Sequence, residues 1–297
     1  MALIKKAEVE LRETESRKLQ SLEQFRDWLR RHQYIKYSRQ DDTYLLEYLR
    51  TKKFSLNDAC KLYENHFNFR SKRGDWFDIT DEKRNCIKEL VQCGSKYFIN
   101  DPQSTDTTIF ITRFEIIDLD KFSITDNFYT DFSLFGAYLE LENVQICGFS
   151  LILDFTNVPL SIFASFPIND VLDWVRSLNC CPGRYKQFII VQLPSTAHTL
   201  LNLIKMILPE KMKERIALVK DYDELANLVD VKRLPKYYGG NADERDLIKA
   251  TLSVFDEKLP LLRNSHKYEI EWSKMNIKEV KLNEKSTVGS FRKLEID

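Results

Sequence analysis

The sequence predicts an α/β protein in which a small N-terminal helical bundle precedes a mainly parallel sheet joined by crossover helices. Two observations carry this. From about Leu19 to Arg73 apolar residues recur at helical spacing in a polar background, and after about residue 100 short β-branched and aromatic runs alternate with helical patterns. With 297 residues, 43% of them hydrophobic and 30% charged, the chain can bury a full core in one large or two modest domains.

The N-terminus, MALIKKAEVELRETESRK, carries charges where a signal peptide needs a continuous apolar segment. No apolar run approaches the ~18 residues of a membrane-spanning helix, so a cytoplasmic protein is expected. The first clear helix is LEQFRDWLRRH, with Leu22, Phe25, Trp28 and Leu29 on one face. Asp41 and Asp42 suit the N-cap of a second helix over TYLLEYLRTKKF, and Ser55 opens a third that ends near Gly74.

Four strands are expected in TTIFITRF (107–114), FSLILDF (149–155), FIIVQL (188–193) and IALVK (216–220). The segments NFYTDFSLFGAYLELENVQI, NDVLDWVRSLN and STAHTLLNLIKMILPEKMKER are each long enough to cross over between parallel strands. After Gly240 the pattern turns helical and polar, then loose. The expected organisation is a helical module at 1–98, a sheet domain at 99–250 and a tail at 251–297.

These pieces, in this order, resemble the CRAL-TRIO family of lipid carriers, over roughly residues 20 to 250. DDTYLLEYLRTKKFSLNDA is similar to the family's N-terminal helical module. Glu142, Gln145, Gly148 and Asp154 match its E-x-x-Q-x-x-G and strand-end Asp, and LPEKMKERI and RLPKYYGG its closing motifs. Asn157 stands where the family usually has Gly, and Asn tolerates a left-handed backbone better than most residues.

The resemblance implies a sheet floor, a helical wall and a mobile lid helix around an apolar cavity. The lid would be HTLLNLIKMIL (198–208), with Leu200, Leu203, Ile204 and Ile207 among its apolar residues; by pattern alone it also suits an ordinary core helix. Strand alternation groups Phe149, Leu151, Leu153 and Phe155 on one face, and likewise Phe188 and Ile190. Phe128, Phe132 and Phe135 recur at near-helical spacing on the preceding crossover. All nine are candidate cavity residues, although alternation does not say which face holds a cavity.

Net charge is zero, which argues against indiscriminate binding to nucleic acid, yet residues 184–220 hold seven basic residues against two acids. Arg184 and Lys186 lie two apart at a strand start, and Lys211 and Arg215 four apart on a helix, so each pair shares a side. In the family's vitamin E transfer protein, basic residues at the matching positions grip a phosphoinositide headgroup, with the first pair reversed in type. Read from charge alone, the cluster also suits a solvated basic face partly neutralised by Glu210 and Glu214.

No G-x-S-x-G, P-loop, G-x-G-x-x-G or H-E-x-x-H motif is present, and His32, His66, His198 and His266 are dispersed. Neither a catalytic residue nor a cofactor nor a metal site is expected. The six cysteines contain no CxxC and are read as free thiols, Cys180 and Cys181 as buried small hydrophobes. The expected function is a monomeric carrier that moves an apolar or lipid ligand between membranes and recognises phosphoinositide surfaces. The alternative is a membrane-associated lipid sensor or adaptor that regulates a protein partner.

Overall fold

The computed structural model describes residues 2–33, 35–159, 161–164, 166–264 and 269–270. The helical module contains α1 (Ala2–Leu11), α2 (Glu15–Arg31), the short strand β1 (Ile35–Tyr37), α3 (Asp42–Thr51) and α4 (Leu56–Lys72). Thr14 accepts the Arg17 N–H and Asp41 the Tyr44 N–H, so each cap satisfies an amide that the helix start leaves without a partner. Phe25, Tyr48 and Tyr63 are buried where α2, α3 and α4 meet. Helix α1, which the pattern did not single out, docks Ala7 and Leu11 into that same core.

Two short helices, α5 (Gly74–Phe77) and α6 (Asp81–Gln92), lead into a five-stranded sheet. Its strands are β2 (Lys96–Ile99), β3 (Thr108–Arg113), β4 (Phe149–Asp154), β5 (Tyr185–Val191) and β6 (Ile216–Val219), side by side in chain order. Strand β2 is antiparallel to β3 and the other pairings are parallel. Advancing in one direction with right-handed crossovers stacks the connecting helices on one face. There α7 (Ile124–Leu139) and α10 (Ile168–Cys180), which follows the one-turn α9 (Ser161–Ala164), cover the in-register row Phe98, Phe110, Leu151, Phe188 and Ile216. The other face presents Tyr97, Ile111, Ile152 and Ile189 to Leu225, Leu234 and Tyr238. The last strand, β7 (Glu269–Ile270), pairs antiparallel with β1.

Two expected crossovers are each broken in two. Residues 127–146 divide into α7 and α8 (Glu142–Cys147), because the Gln145 amide donates to the Leu139 carbonyl at 2.6 Å and to the Thr43 carbonyl at 3.1 Å. Residues 195–215 divide at Pro209, which lacks the N–H a continuous helix needs, into α11 (His198–Ile207) and α12 (Glu210–Lys213). The helix expected to carry both Lys211 and Arg215 therefore stops at Lys213, and Arg215 sits in the turn into β6. After α13 (Tyr222–Ala226), α14 (Glu244–Arg263) packs against α7 and supplies Phe255 and Leu259 to the main core. The expected loose tail lies mostly outside the described residues.

The module and the sheet domain are locked by Arg50, which is only 2% exposed. It donates to Glu13 at 2.9 and 2.7 Å, to Gln145 at 2.9 Å and to Glu142 at 2.7 Å. These four charge-assisted hydrogen bonds offset the cost of taking the guanidinium out of water. Glu142 and Gln145 thus owe their spacing to one turn of α8 laid against α3.

Candidate functional site

On the face covered by helices, the C-terminal halves of β4 and β5 border a chamber of about 900 Å³ counted out to its mouth. Every described residue lining it is apolar. Leu153, Phe188 and Ile190 form its floor, Phe155 continues from β4, and Trp174 and Leu178 of α10 form a wall. Leu200, Leu201 and Ile204 of α11 close one side. Only Leu201 of α11 is fully buried, and Met206 on its outer face is 68% exposed. Exposed His198 begins the helix.

Of the residues singled out from sequence, Phe128, Leu153, Phe155, Phe188, Ile190, Leu200 and Ile204 line this chamber. Ile207 packs on the main core, and Leu203 is half-buried and outside the lining. Phe149 and Leu151 share the floor's sheet face but lie under α7, where Phe135 meets Phe149 with ring centroids 5.0 Å apart. Only the second half of the strand is open to the chamber. Phe132 and Phe135 line an adjoining compartment, bounded by His66, Trp76 and Glu47 of the helical module, that shares Trp174 and Leu178 with the chamber.

Arg184, Lys186, Lys211 and Arg215 converge on one further pocket, of about 830 Å³ counted to its mouth. Its position follows from the strands. Tyr185 and Lys186 border this pocket and Phe188 and Ile190 the apolar chamber, while Arg215 and its neighbour Ile216 divide between the two. Leu178 belongs to both walls. Arg184 is fixed by donating to the Ile146 carbonyl, and Arg215 by donating to the Tyr185 carbonyl.

Three contributors were not legible in the sequence. Lys52 and Lys53 join the lining from the end of α3, where Lys53 and Phe54 have φ of 50° and 62°. This left-handed turn is closed by the Phe54 N–H on the Leu49 carbonyl at 2.7 Å. Glu10 of α1 is the one acid among the described lining residues. Its Oε2 accepts from Arg184 at 2.8 Å and from Lys186 at 2.7 Å, and its Oε1 pairs with Lys6 at 2.7 Å. Burial pushes the Glu10 carboxyl up, but bonds from Lys186, Lys6 and Arg184 outweigh it and hold the group at about 2. Burial and the neighbouring Arg184 lower the Lys186 ammonium from its usual value, against the pull of Glu10.

The remaining motif residues are architectural. Asp154 accepts from Tyr238 at 2.8 Å and Tyr222 at 3.1 Å at the end of β4. Asn157 has φ of 57°, the left-handed turn expected of the position that is usually Gly. The six cysteines are free thiols, and burial raises both Cys180 and Cys181. Among the described residues no cluster of His, Cys, Asp or Glu could hold a metal, and no helix is long and apolar enough to cross a membrane.

Comparison with known proteins agrees with this architecture. Residues 93–240 match the CRAL/TRIO domain. Mouse (Mus musculus) Clavesin-2 is 24% identical over 93% of this chain and 84% of its own length. Rat (Rattus norvegicus) Clavesin-1 is 26% identical over 82% and 70%. The crystal structure of Sfh5 superposes with a TM-score of 0.50 at 11% identity, covering 84% of this chain and 99% of Sfh5. With this sheet order and the matched motifs, residues 93–240 form a CRAL/TRIO lipid-binding domain.

Proposed function

We propose that the protein carries an apolar ligand in the chamber bounded by Leu153, Phe188, Ile190 and α11 and exchanges it at phosphoinositide-containing membranes. The observation that carries this reading is the shared construction of the two sites. One stretch of β5 and one residue pair, Arg215–Ile216, serve a purely apolar chamber on one side and a six-cation pocket on the other. A headgroup held by the cations would sit against the wall that the pocket shares with the chamber, at Leu178 and the start of β5. Several converging cations suit a multiply phosphorylated ring, with Arg bonding phosphate oxygens in a fork and Lys acting as a compact charge. Helix α11 lies over the chamber with little of itself buried, and its exposed Met206 suits shallow contact with a bilayer while the ligand passes.

The test is selectivity between vesicles. Lys186→Ala with Lys211→Ala removes two cations and spares Arg184 and Arg215, which also hold backbone carbonyls. Binding to phosphatidylinositol bisphosphate vesicles should fall at least about tenfold, from two charge-assisted contacts of ~1.5–3 kcal/mol each. Binding to phosphatidylserine vesicles of equal charge should change far less. Equal loss on both vesicle types would reduce the pocket to a general basic surface.

A further inference from the structure

The cationic pocket already holds an anion, and it belongs to the chain itself. The Glu10 carboxylate occupies Arg184 and Lys186 but reaches neither Lys211 nor Arg215 nor the pair Lys52 and Lys53. Helix α1, which presents it, docks through Ala7, Leu11 and the partly buried Leu3, while Ile4 and Val9 are 65% and 74% exposed. A ten-residue helix is marginal in water without its docking contacts, so loss of the Glu10 bonds weakens the whole element.

Building on the phosphoinositide reading, we propose that Glu10 is a specificity-determining residue: an internal carboxylate that an incoming headgroup must displace from Arg184 and Lys186. A single phosphodiester brings one negative charge and replaces one carboxylate with an equivalent group, so the exchange gains little. A polyphosphorylated headgroup replaces Glu10 and at the same time engages the cations that Glu10 leaves unserved. Glu10 thereby discriminates by number of phosphates, acting against weakly charged competitors rather than for the preferred ligand. Displacement also frees α1 from the pocket rim, so headgroup binding loosens residues 2–11.

The experiment compares the parent protein with Glu10→Gln, which keeps the shape of the side chain and removes its charge. Vesicles of equal total charge contain phosphatidylserine, phosphatidylinositol or phosphatidylinositol bisphosphate. The variant should bind the first two on the order of tenfold more tightly, and the third at most about threefold more tightly, so that selectivity collapses. Hydrogen exchange of residues 2–11 should speed up when the parent meets bisphosphate vesicles and stay unchanged with phosphatidylserine. Soluble inositol trisphosphate producing the same release would support displacement by headgroup phosphates alone; release only on vesicles would support a lipid-borne headgroup. A parent that discriminates and a variant with the same ratio, or with weaker binding throughout, overturns the role of Glu10 and leaves the phosphoinositide reading standing. A parent that does not discriminate overturns both.

Discussion

A Cβ on Gly148 would lie 2.2 Å from the carbonyl oxygen of Arg184, so the starts of β4 and β5 can approach only because position 148 is glycine. Gly148 has φ of 82°, and the Phe149 N–H donates to that same carbonyl at 2.8 Å. The glycine of E-x-x-Q-x-x-G thus sets where Arg184 enters the cationic pocket. Gly148→Ala should cost ~1–3 kcal/mol in backbone strain alone, with a further loss from the clash. Urea denaturation would read the stability, and the variant that still folds should also lose phosphoinositide selectivity.

Arg50 offers a second stability test. Removing it strands Glu13, only 8% exposed, without its buried partner. Arg50→Met should cost about 3–5 kcal/mol. Adding Glu13→Gln should recover part of that loss, and equal stability of the single and double variants would show that the pair is not coupled.

The chamber can be narrowed from its floor. Leu153 is half-buried and faces the cavity from the middle of the floor. Leu153→Trp, which narrows the chamber from its floor, should weaken saturable binding of a fluorescent fatty acid or retinoid while the melting temperature holds or rises. Unchanged binding in the variant would place the ligand elsewhere.

Glu47 gives a pH signature. It is 5% exposed, and burial first and then nearby Glu140 push its carboxyl well above the ordinary value, against the pull of Arg39. Because the folded value is raised, the native protein holds a proton that the unfolded chain gives up above about 4.5. The parent therefore loses stability as pH rises from there, and Glu47→Gln does not. The advantage of the variant in chemical denaturation should widen from pH 5 toward pH 8, and an advantage independent of pH would show Glu47 to be ionised in the fold.

Much of this was readable from residue order. The runs at 108–113, 149–154, 185–191 and 216–219 are β-branched and aromatic because both sheet faces are covered, and covered strands leave a plain pattern. Strand β2 escaped notice because its four residues begin with Lys96, which is 1% exposed and paired with buried Asp131 at 2.7 Å. A charge inside a short strand reads as a loop until its partner, 35 residues on, is in view. Arg184 and Lys186 announced themselves by spacing. Lys52, Lys53 and Glu10 did not, since their role comes from packing of the helical module against the strand starts and carries no local pattern. Alternation likewise grouped Phe149 and Leu151 with Leu153, because only the position of α7 decides which half of a strand stays open.

The central claim, an apolar ligand held in the chamber and carried by the protein, is tested most directly by native mass spectrometry after incubation with lipid extract, followed by organic extraction. The parent protein should carry one apolar molecule per chain, and folded Leu153→Trp should carry markedly less of it. A parent that remains ligand-free across the extract, or a variant that carries the same amount, would contradict the claim.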